Sequence, residues 1–305
     1  MPELAVFSPG TISHRFMEGM KDVRGARVTA FITRNPENCR KYAAEYGIST
    51  VGTFEEVIRT RRIEGVYISS PTFLHADHIR LCLEHDLHVF CEKPVTVKRE
   101  EYEILLSLAH QRGLVFMEAQ KALYLPAFLE IRSLLEANAL GTVHTVRAGF
   151  CRNEHLEENA WRRTMPGRGA LYDVGCYPLA AIFGLFGTDC EELERKEITE
   201  GDLITGGSIR FRKGETDLIA EYSMTEDGFC GLQIHGETGS ISCPSFWKAD
   251  HYELTRNGEK EEIRFIYGSE FAFETQIFID RIQTRSVTDS WSEEISLRIL
   301  KTIDR

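Results

Sequence analysis

Along the first 120 or so residues, short and mainly apolar runs alternate with amphipathic stretches, and this alternation sets the expected architecture. The runs at 4–8, 27–33, 66–70, 89–91 and 114–117 are too short for buried helices, and most are continuously apolar, so they predict strands covered on both faces. Helical signals lie between them. Ile12, Phe16 and Met20 recur every four residues and place one apolar stripe on a first helix. Asn35-Pro36 reads as an N-cap followed by proline in the first helical position, and Gly47 as a left-handed stop, which predicts a helix over 36–46. Thr53 and Glu56 have the spacing of a capping box, in which hydroxyl and carboxylate satisfy each other's backbone amides. Further helices are expected over 74–85 and 99–112. Such alternation builds a parallel sheet with helices on both faces, here a Rossmann fold over residues 1–120.

Beyond residue 119 the pattern changes. It predicts a helix over 126–137, a strand over 143–150, a polar loop to 169 and a helix to 186. Two-residue alternation at 208–212, 218–224 and 230–235, with turns at Lys213-Gly214 and Asn257-Gly258, indicates an antiparallel sheet. Helices over 270–284 and 291–303 complete the chain, and residues 121–305 form the expected second, α+β domain.

Composition narrows the function classes. With 305 residues and 42% hydrophobic content there is material for two cores. A formal charge of −11 and no local basic run disfavour a phosphate backbone or an anionic membrane surface, so no nucleic-acid or membrane partner is expected. The segment 178–186 is too short to span a bilayer and residues 1–7 lack a basic leader pattern, so the expected location is cytoplasmic. Eight cysteines show no C-x-x-C pair and are expected as buried thiols. The pairs His75/His78 and His85/His88 lack an evident third ligand, and no metal site is expected.

Candidate chemistry begins where strand one ends, at Ser8-Pro9-Gly10-Thr11-Ile12-Ser13. This is the position of the pyrophosphate loop in a Rossmann fold, but only the middle glycine of G-x-G-x-x-G survives, as Gly10, with Ser8 and Ser13 in the outer places. The amides of Thr11 and Ile12 fall at a helix N-terminus, where negative charge is favoured. A carboxylate after strand two would bind the ribose hydroxyls of NAD. Thr33 and Arg34 stand there instead, a hydroxyl and a guanidinium suited to a 2′-phosphate, so NADP(H) is expected ahead of NAD(H).

The segments Ile68-Ser69-Ser70-Pro71-Thr72-Phe73-Leu74-His75, His88-Val89-Phe90-Cys91-Glu92-Lys93-Pro94 and Met117-Glu118-Ala119 together resemble the Gfo/Idh/MocA oxidoreductase family. The resemblance implies that Ser70, Pro71, His75, Glu92 and Lys93 stand at strand ends facing the nicotinamide of a bound cofactor. It also implies a large open sheet in the second domain, including the turn His235-Gly236-Glu237-Thr238-Gly239, and a homo-oligomer, a dimer or a dimer of dimers. Asp173-Val174-Gly175-Cys176-Tyr177 resembles the family's Asp-x-Gly-x-His/Tyr motif in its tyrosine form, that of the glucose-fructose oxidoreductase and dihydrodiol dehydrogenase branch. Four residues apart on a helix, Asp173 and Tyr177 would share a face. Tyr177 is the expected proton donor and acceptor, Lys93 the group holding the substrate oxygen, and Asp173 the residue that orients substrate and balances the lysine charge. His155, in the polar loop, is the next candidate for the proton.

The expected reaction is hydride transfer between NADP(H) and a secondary alcohol or ketone of a small polyol, sugar or sugar-like compound. A non-catalytic dinucleotide sensor on the same fold is the alternative. The run Gln120-Lys121-Ala122-Leu123-Tyr124 departs from the dihydrodiol branch, which carries an aromatic residue and an arginine there, and this points to a different pocket. Arg162, Arg163 and Arg168 either bind an anionic group or are solvated loop charges.

Overall fold

Parallel strands need crossovers, and the first half of the chain supplies one helix after nearly every strand. In the computed structural model, which describes residues 1–304, strands β1 (Glu3–Phe7), β2 (Arg27–Ile32), β3 (Thr50–Gly52), β4 (Gly65–Ile68), β5 (His88–Glu92) and β6 (Phe116–Ala119) form one sheet in the order β3-β2-β1-β4-β5-β6. Every neighbouring pair is parallel. This is the Rossmann order, with the reversal of direction between β1 and β4. The crossover helices are α1 (Thr11–Gly19), α2 (Pro36–Glu45), α3 (Phe54–Thr60), α4 (His75–Glu84) and α5 (Arg99–Arg112). The caps expected at Asn35 and Thr53 form: Asn35 Oδ1 accepts from the Asn38 amide, and Thr53 and Glu56 close a reciprocal box. Strand β3 was not expected; three residues at a sheet edge carry no period to read.

The second unit is built on an eight-stranded sheet. Helix α6 (Pro126–Glu136) precedes β7 (Val143–Cys151), and three helices follow, α7 (Trp161–Thr164), α8 (Ala170–Asp173) and α9 (Cys176–Phe186). Strands β8 (Glu191–Glu200), β9 (Leu203–Lys213), β10 (Thr216–Ser223), β11 (Cys230–Gly236), β12 (Gly239–Pro244), β13 (His251–Arg256) and β14 (Glu259–Arg264) complete it in the order β14-β13-β12-β11-β7-β10-β9-β8. Only the central β7–β10 pair is parallel, so the sheet is mainly antiparallel, as expected. One face is apolar by alternation: Val146 and Ala148 on β7, Ile209 and Phe211 on β9, Leu218 and Ala220 on β10, Leu232 and Ile234 on β11 are all buried. The almost wholly apolar α9 covers it. Strand β8 escaped the sequence pattern because it is a sheet edge of mostly charged, exposed residues.

Two further helices, α10 (Phe271–Thr284) and α11 (Ser290–Ile303), follow the second sheet. The first compact unit comprises Met1–Ala119 and Gly268–Glu293, the second Gln120–Tyr267 and Glu294–Arg305. Helix α10 therefore belongs with the first sheet, not with the segment 121–305 in which its place along the chain had put it. Contacts explain the return: Phe278 stacks on Phe90 at 5.2 Å, and Gly19 brings α1 so close that a Cβ there would lie 2.7 Å from Phe271 Cβ. No helix among the described residues is long and apolar enough to cross a membrane.

Candidate active site

In the first unit, every sequence-predicted cofactor residue lies at or just past the carboxyl end of a strand, or at the start of the following helix. After β1, Ser8 takes a left-handed turn (φ 58°) and its amide donates to Ile32 O at 2.8 Å; Gly10 is extended and α1 starts at Thr11. Ser13 occupies the place of the third fingerprint glycine in a productive way. Its buried hydroxyl accepts from the Gly10 amide at 2.8 Å and donates to Gly10 O at 2.7 Å, locking the turn by side chain instead of by close packing. A Cβ on Gly10 would meet only Ser8 O, at 4.0 Å. The protein's own packing does not require glycine here, whereas a pyrophosphate seated over the Thr11 and Ile12 amides would occupy that room, so the loop fits a dinucleotide. After β2, the Thr33 hydroxyl accepts from the Asn35 amide at 3.2 Å and keeps its own proton to donate, and Arg34 is exposed.

The loops after β4, β5 and β6 are tied to one another. His75 is fully buried, with Nδ1 2.9 Å from Pro94 O and Nε2 2.7 Å from Ser70 O. Burial pushes its pKa below the usual value, outweighing the two carbonyls. A neutral imidazole has one N–H, so the ring donates to one of these two carbonyls while it packs between the Ser70-Pro71 and Lys93-Pro94 loops. Tyr67, buried in β4, donates to Glu92 Oε1 at 2.6 Å, and the Val95 amide donates to Glu118 at 2.8 Å. Lys93 is half-buried, its amide lies 3.3 Å from Glu92 Oε2, and the Lys93–Pro94 peptide is cis.

In the second unit the helix expected to 186 is interrupted where Asp173 and Tyr177 sit. The Gly175 amide reaches back five residues to Ala170 O at 2.8 Å, and Tyr177 bonds only three back, to Val174 O. Gly175 is what the break demands, because a Cβ there would stand 2.6 Å from Leu171 O. Simple four-residue spacing thus does not describe the pair. Asp173 instead receives Arg162 at 2.7 Å, and Arg162 extends to Glu154 at 3.6 Å. Burial opposes the charge on Arg162, yet the two carboxylates hold its pKa above the usual arginine value. Arg163 and Arg168 pair with Glu200 and Asp202, so each of the three arginines meets a carboxylate of this chain. Arg162 thus supplies a counter-charge for Asp173 from within the second unit. His155 is exposed in the loop.

Tyr177 is held by its ring. Phe150 of β7 stacks on it at 5.1 Å and 17°, Trp247 lies 6.2 Å away, and the buried Lys121 places Nζ 5.3 Å from the ring centroid. Sequence reasoning did not assign Lys121 or Trp247 to the site. The departure of Gln120-Lys121 from the branch pattern was the available signal for the first; a lone tryptophan in a loop offers none.

Residues 5–120 match the family described as an oxidoreductase family with an NAD-binding Rossmann fold, and residues 128–242 match its GFO/IDH/MocA C-terminal domain. The chain is 30% identical over 258 residues to dTDP-3,4-didehydro-2,6-dideoxy-alpha-D-glucose 3-reductase of Saccharopolyspora spinosa, covering 82% of this chain and 77% of that protein. The chain belongs to the Gfo/Idh/MocA oxidoreductase family. Another member, the scyllo-inositol 2-dehydrogenase (NADP(+)) IolU of Bacillus subtilis, is 26% identical over 86% of this chain and 82% of its own length. Among solved structures, the 3-ketoreductase KijD10 of Actinomadura kijaniata, in complex with NADP and TDP-benzene, shares the Gfo/Idh/MocA fold at a TM-score of 0.90 and 22% identity, over 99% of this chain and 96% of that one. Among the described residues no group of three or more His, Cys, Asp or Glu could hold a metal ion, and no disulfide joins the eight cysteines.

His78 gives the first unit a pH dependence. Its ring stacks on Phe7 at 4.1 Å, and Nδ1 lies 2.9 Å from Ser70 Oγ. Burial, aided by His75 and Arg34 and opposed by Asp77, lowers its pKa from 6.5 to about 4. Between those values the unfolded chain binds a proton that the folded one refuses, so stability is level above pH 6.5 and declines as pH falls toward 4. Urea unfolding across this range should show that decline, and His78→Gln should make it shallower, leaving the part due to the buried His75; an unchanged slope in the variant would assign the decline to other groups.

Proposed function

We propose that this chain is an oxidoreductase that moves a hydride between NADP(H) and the carbon of a secondary alcohol or ketone in a small polyol or sugar-like compound. The observation that carries this reading is Tyr177: a half-buried phenol clamped by Phe150, Trp247 and Lys121 beside a charge-balanced Asp173, on a chain whose first unit has a dinucleotide loop. Relatives named as an NADP(+)-dependent inositol dehydrogenase and a sugar 3-reductase support the substrate class.

When bound, NADP(H) supplies or accepts the hydride. Ser8, Gly10, Thr11 and Ile12 would hold its pyrophosphate, Thr33 and Arg34 its 2′-phosphate, and the Ser70-Pro71 and Glu92-Lys93 loops, with His75 packed between them, its nicotinamide end. The Tyr177 hydroxyl exchanges the proton at the substrate oxygen, and the Lys93 ammonium donates a hydrogen bond to that oxygen, stabilising negative charge on it. Asp173, already balanced by Arg162, orients substrate hydroxyls with its remaining lone pairs.

Titration with both cofactors should show tighter binding of NADP⁺ than of NAD⁺. Arg34→Ala should weaken NADP⁺ by about tenfold or more, the worth of a charge-assisted contact, and leave NAD⁺ unchanged. Equal affinities, insensitive to this substitution, would remove the assignment.

Lys93→Ala and Tyr177→Phe should each lower turnover by roughly 10²- to 10⁴-fold, the range for a positioned acid/base group, with NADP⁺ affinity nearly unchanged. Near-normal rates in Tyr177→Phe alone would make Lys93 the proton donor. Firm NADP(H) binding with no turnover of any polyol or sugar by the unaltered protein would favour the sensor.

The face of the eight-stranded sheet away from α9 carries crossed ion pairs, Arg147–Glu221 and Arg210–Asp217, and its edge strand β8 exposes Leu193 and Ile198. We propose that the chain forms a homo-oligomer, a dimer or a dimer of dimers, through this sheet. Light scattering at micromolar concentration should give a multiple of 34.8 kDa; a monomer mass refutes it.

A further inference from the structure

The run Gln120-Lys121-Ala122-Leu123-Tyr124 enters the second unit as a tight turn with no exposed residue, closed by the Leu123 amide on Gln120 O at 2.9 Å. Two of its side chains are out of place in a core. Gln120 is 2% exposed, and neither its amide oxygen nor its amide nitrogen has a hydrogen-bond partner among the described residues. An amide buried in this way is a standing penalty unless something outside the chain satisfies it. Lys121, 5% exposed, carries its ammonium to the ring of Tyr177, so a charge is held inside the second unit against an aromatic face.

We propose that Gln120 and Lys121 form a recognition pair for the substrate, reading hydroxyl groups of a neutral polyhydroxylated ring whose reacting oxygen is served by Tyr177. The inference rests on the hydride-transfer reading above and adds to it the residues that select the substrate. Chemistry chooses the class. A primary amide offers a donor and an acceptor side by side, and a hydroxyl, which both donates and accepts, satisfies the two together. A carboxylate or phosphate only accepts and would leave the Gln120 carbonyl facing negative charge. Lys121 donates to a further hydroxyl oxygen and, through its cation–π contact, keeps the Tyr177 ring in place while it does so.

The test uses the full chain with NADP⁺ and scyllo-inositol, myo-inositol and D-glucose, each beside single-deoxy counterparts, with D-glucuronate as the anionic probe. Calorimetry on the protein loaded with NADPH measures binding of the same probes separately from turnover. The unaltered protein should discriminate against at least one deoxy counterpart of a ring it uses. Gln120→Met should raise KM and Kd for the parent ring by about tenfold, abolish that discrimination, and leave kcat and NADP⁺ affinity little changed. Lys121→Met should likewise weaken the parent ring and abolish discrimination at a different hydroxyl. Because the substitution removes an unsatisfied buried amide, the unfolding temperature of Gln120→Met without ligand should equal or exceed that of the parent, whereas a purely structural glutamine would give a fall. Should this variant not fold, Gln120→Asn, which withdraws the amide by one methylene, should show the same loss of discrimination. Binding of polyols without turnover would defeat hydride transfer and still decide the pair through the calorimetric discrimination. Unchanged discrimination in both variants, a loss of NADP⁺ affinity in place of substrate affinity, preference for D-glucuronate, or no binding of any ring by the unaltered protein would each overturn the proposal.

Discussion

A parallel strand covered on both faces has no place for a charge along its length, and the chemistry of the first unit is arranged by that exclusion. Val66, Tyr67 and Ile68 of β4 and Val89, Phe90 and Cys91 of β5 are essentially inaccessible, so polar groups are confined to the loops where these strands end. The one polar atom that such a strand carries inward has to find an acceptor, and it organises its surroundings. The Tyr67 hydroxyl reaches Glu92, the residue immediately before Lys93. The loops are then tied laterally: Ser69 to the carbonyls of Phe7 and Ser8, His75 between the Ser70 and Pro94 carbonyls with its one N–H donated to one of them, Glu118 to the Val95 amide. The loops after β1, β4, β5 and β6 are thereby joined into one platform. Loops tied in this way can present a glycine turn and a lysine at fixed positions.

The second unit solves a different problem, that of holding polar side chains against an apolar sheet face. Helix α9 covers that face, and Gly175 and Gly184 let its start and its end approach the backbone of Leu171 and the side chains of Leu123 and Phe128. Tyr177 emerges from the beginning of this helix with its ring already packed against Phe150. Charge around it is shared out within the chain. Arg162 is partly buried between Asp173 and Glu154, a setting in which an ion pair is felt much more than at the surface. The exposed pairs Arg163–Glu200 and Arg168–Asp202 contribute at most about 1 kcal/mol each and serve to shape the loop. An overall charge of −11 thus coexists with a buried ammonium, that of Lys121, against the ring of Tyr177.

Local signals of the sequence were enough for the first sheet. Apolar runs, the Asn35 and Thr53 caps and the glycine stop at Gly47 depend on interactions within a few residues, and the strand–helix alternation they mark leaves few topologies open. The positions of Gly10, Arg34 and Lys93 at strand ends followed from the same alternation together with the family motifs. The alternating strands β9, β10 and β11 were legible for an equally local reason, since one side of each is buried and the other is wet.

What the chain order could not express, tertiary packing decided. Helix α10 returns to the first unit because Phe271 and Phe278 find α1 and Phe90 there, contacts between residues far apart in sequence. Strand β8 is a strand only because β9 offers it a hydrogen-bonding edge; its charged residues have no periodic preference of their own. The register of Asp173 and Tyr177 depends on the close approach at Gly175, and the partner of Asp173 is an arginine on a separate loop. Lys121 is the clearest instance. Lysine is by default a solvated residue, and the departure from the branch pattern marked the position without saying that it is enclosed; it is buried because the turn that carries it is enclosed and the ring of Tyr177 lies within its reach. Local propensity and period act over a few residues, whereas burial of a charge depends on what the whole fold brings around it.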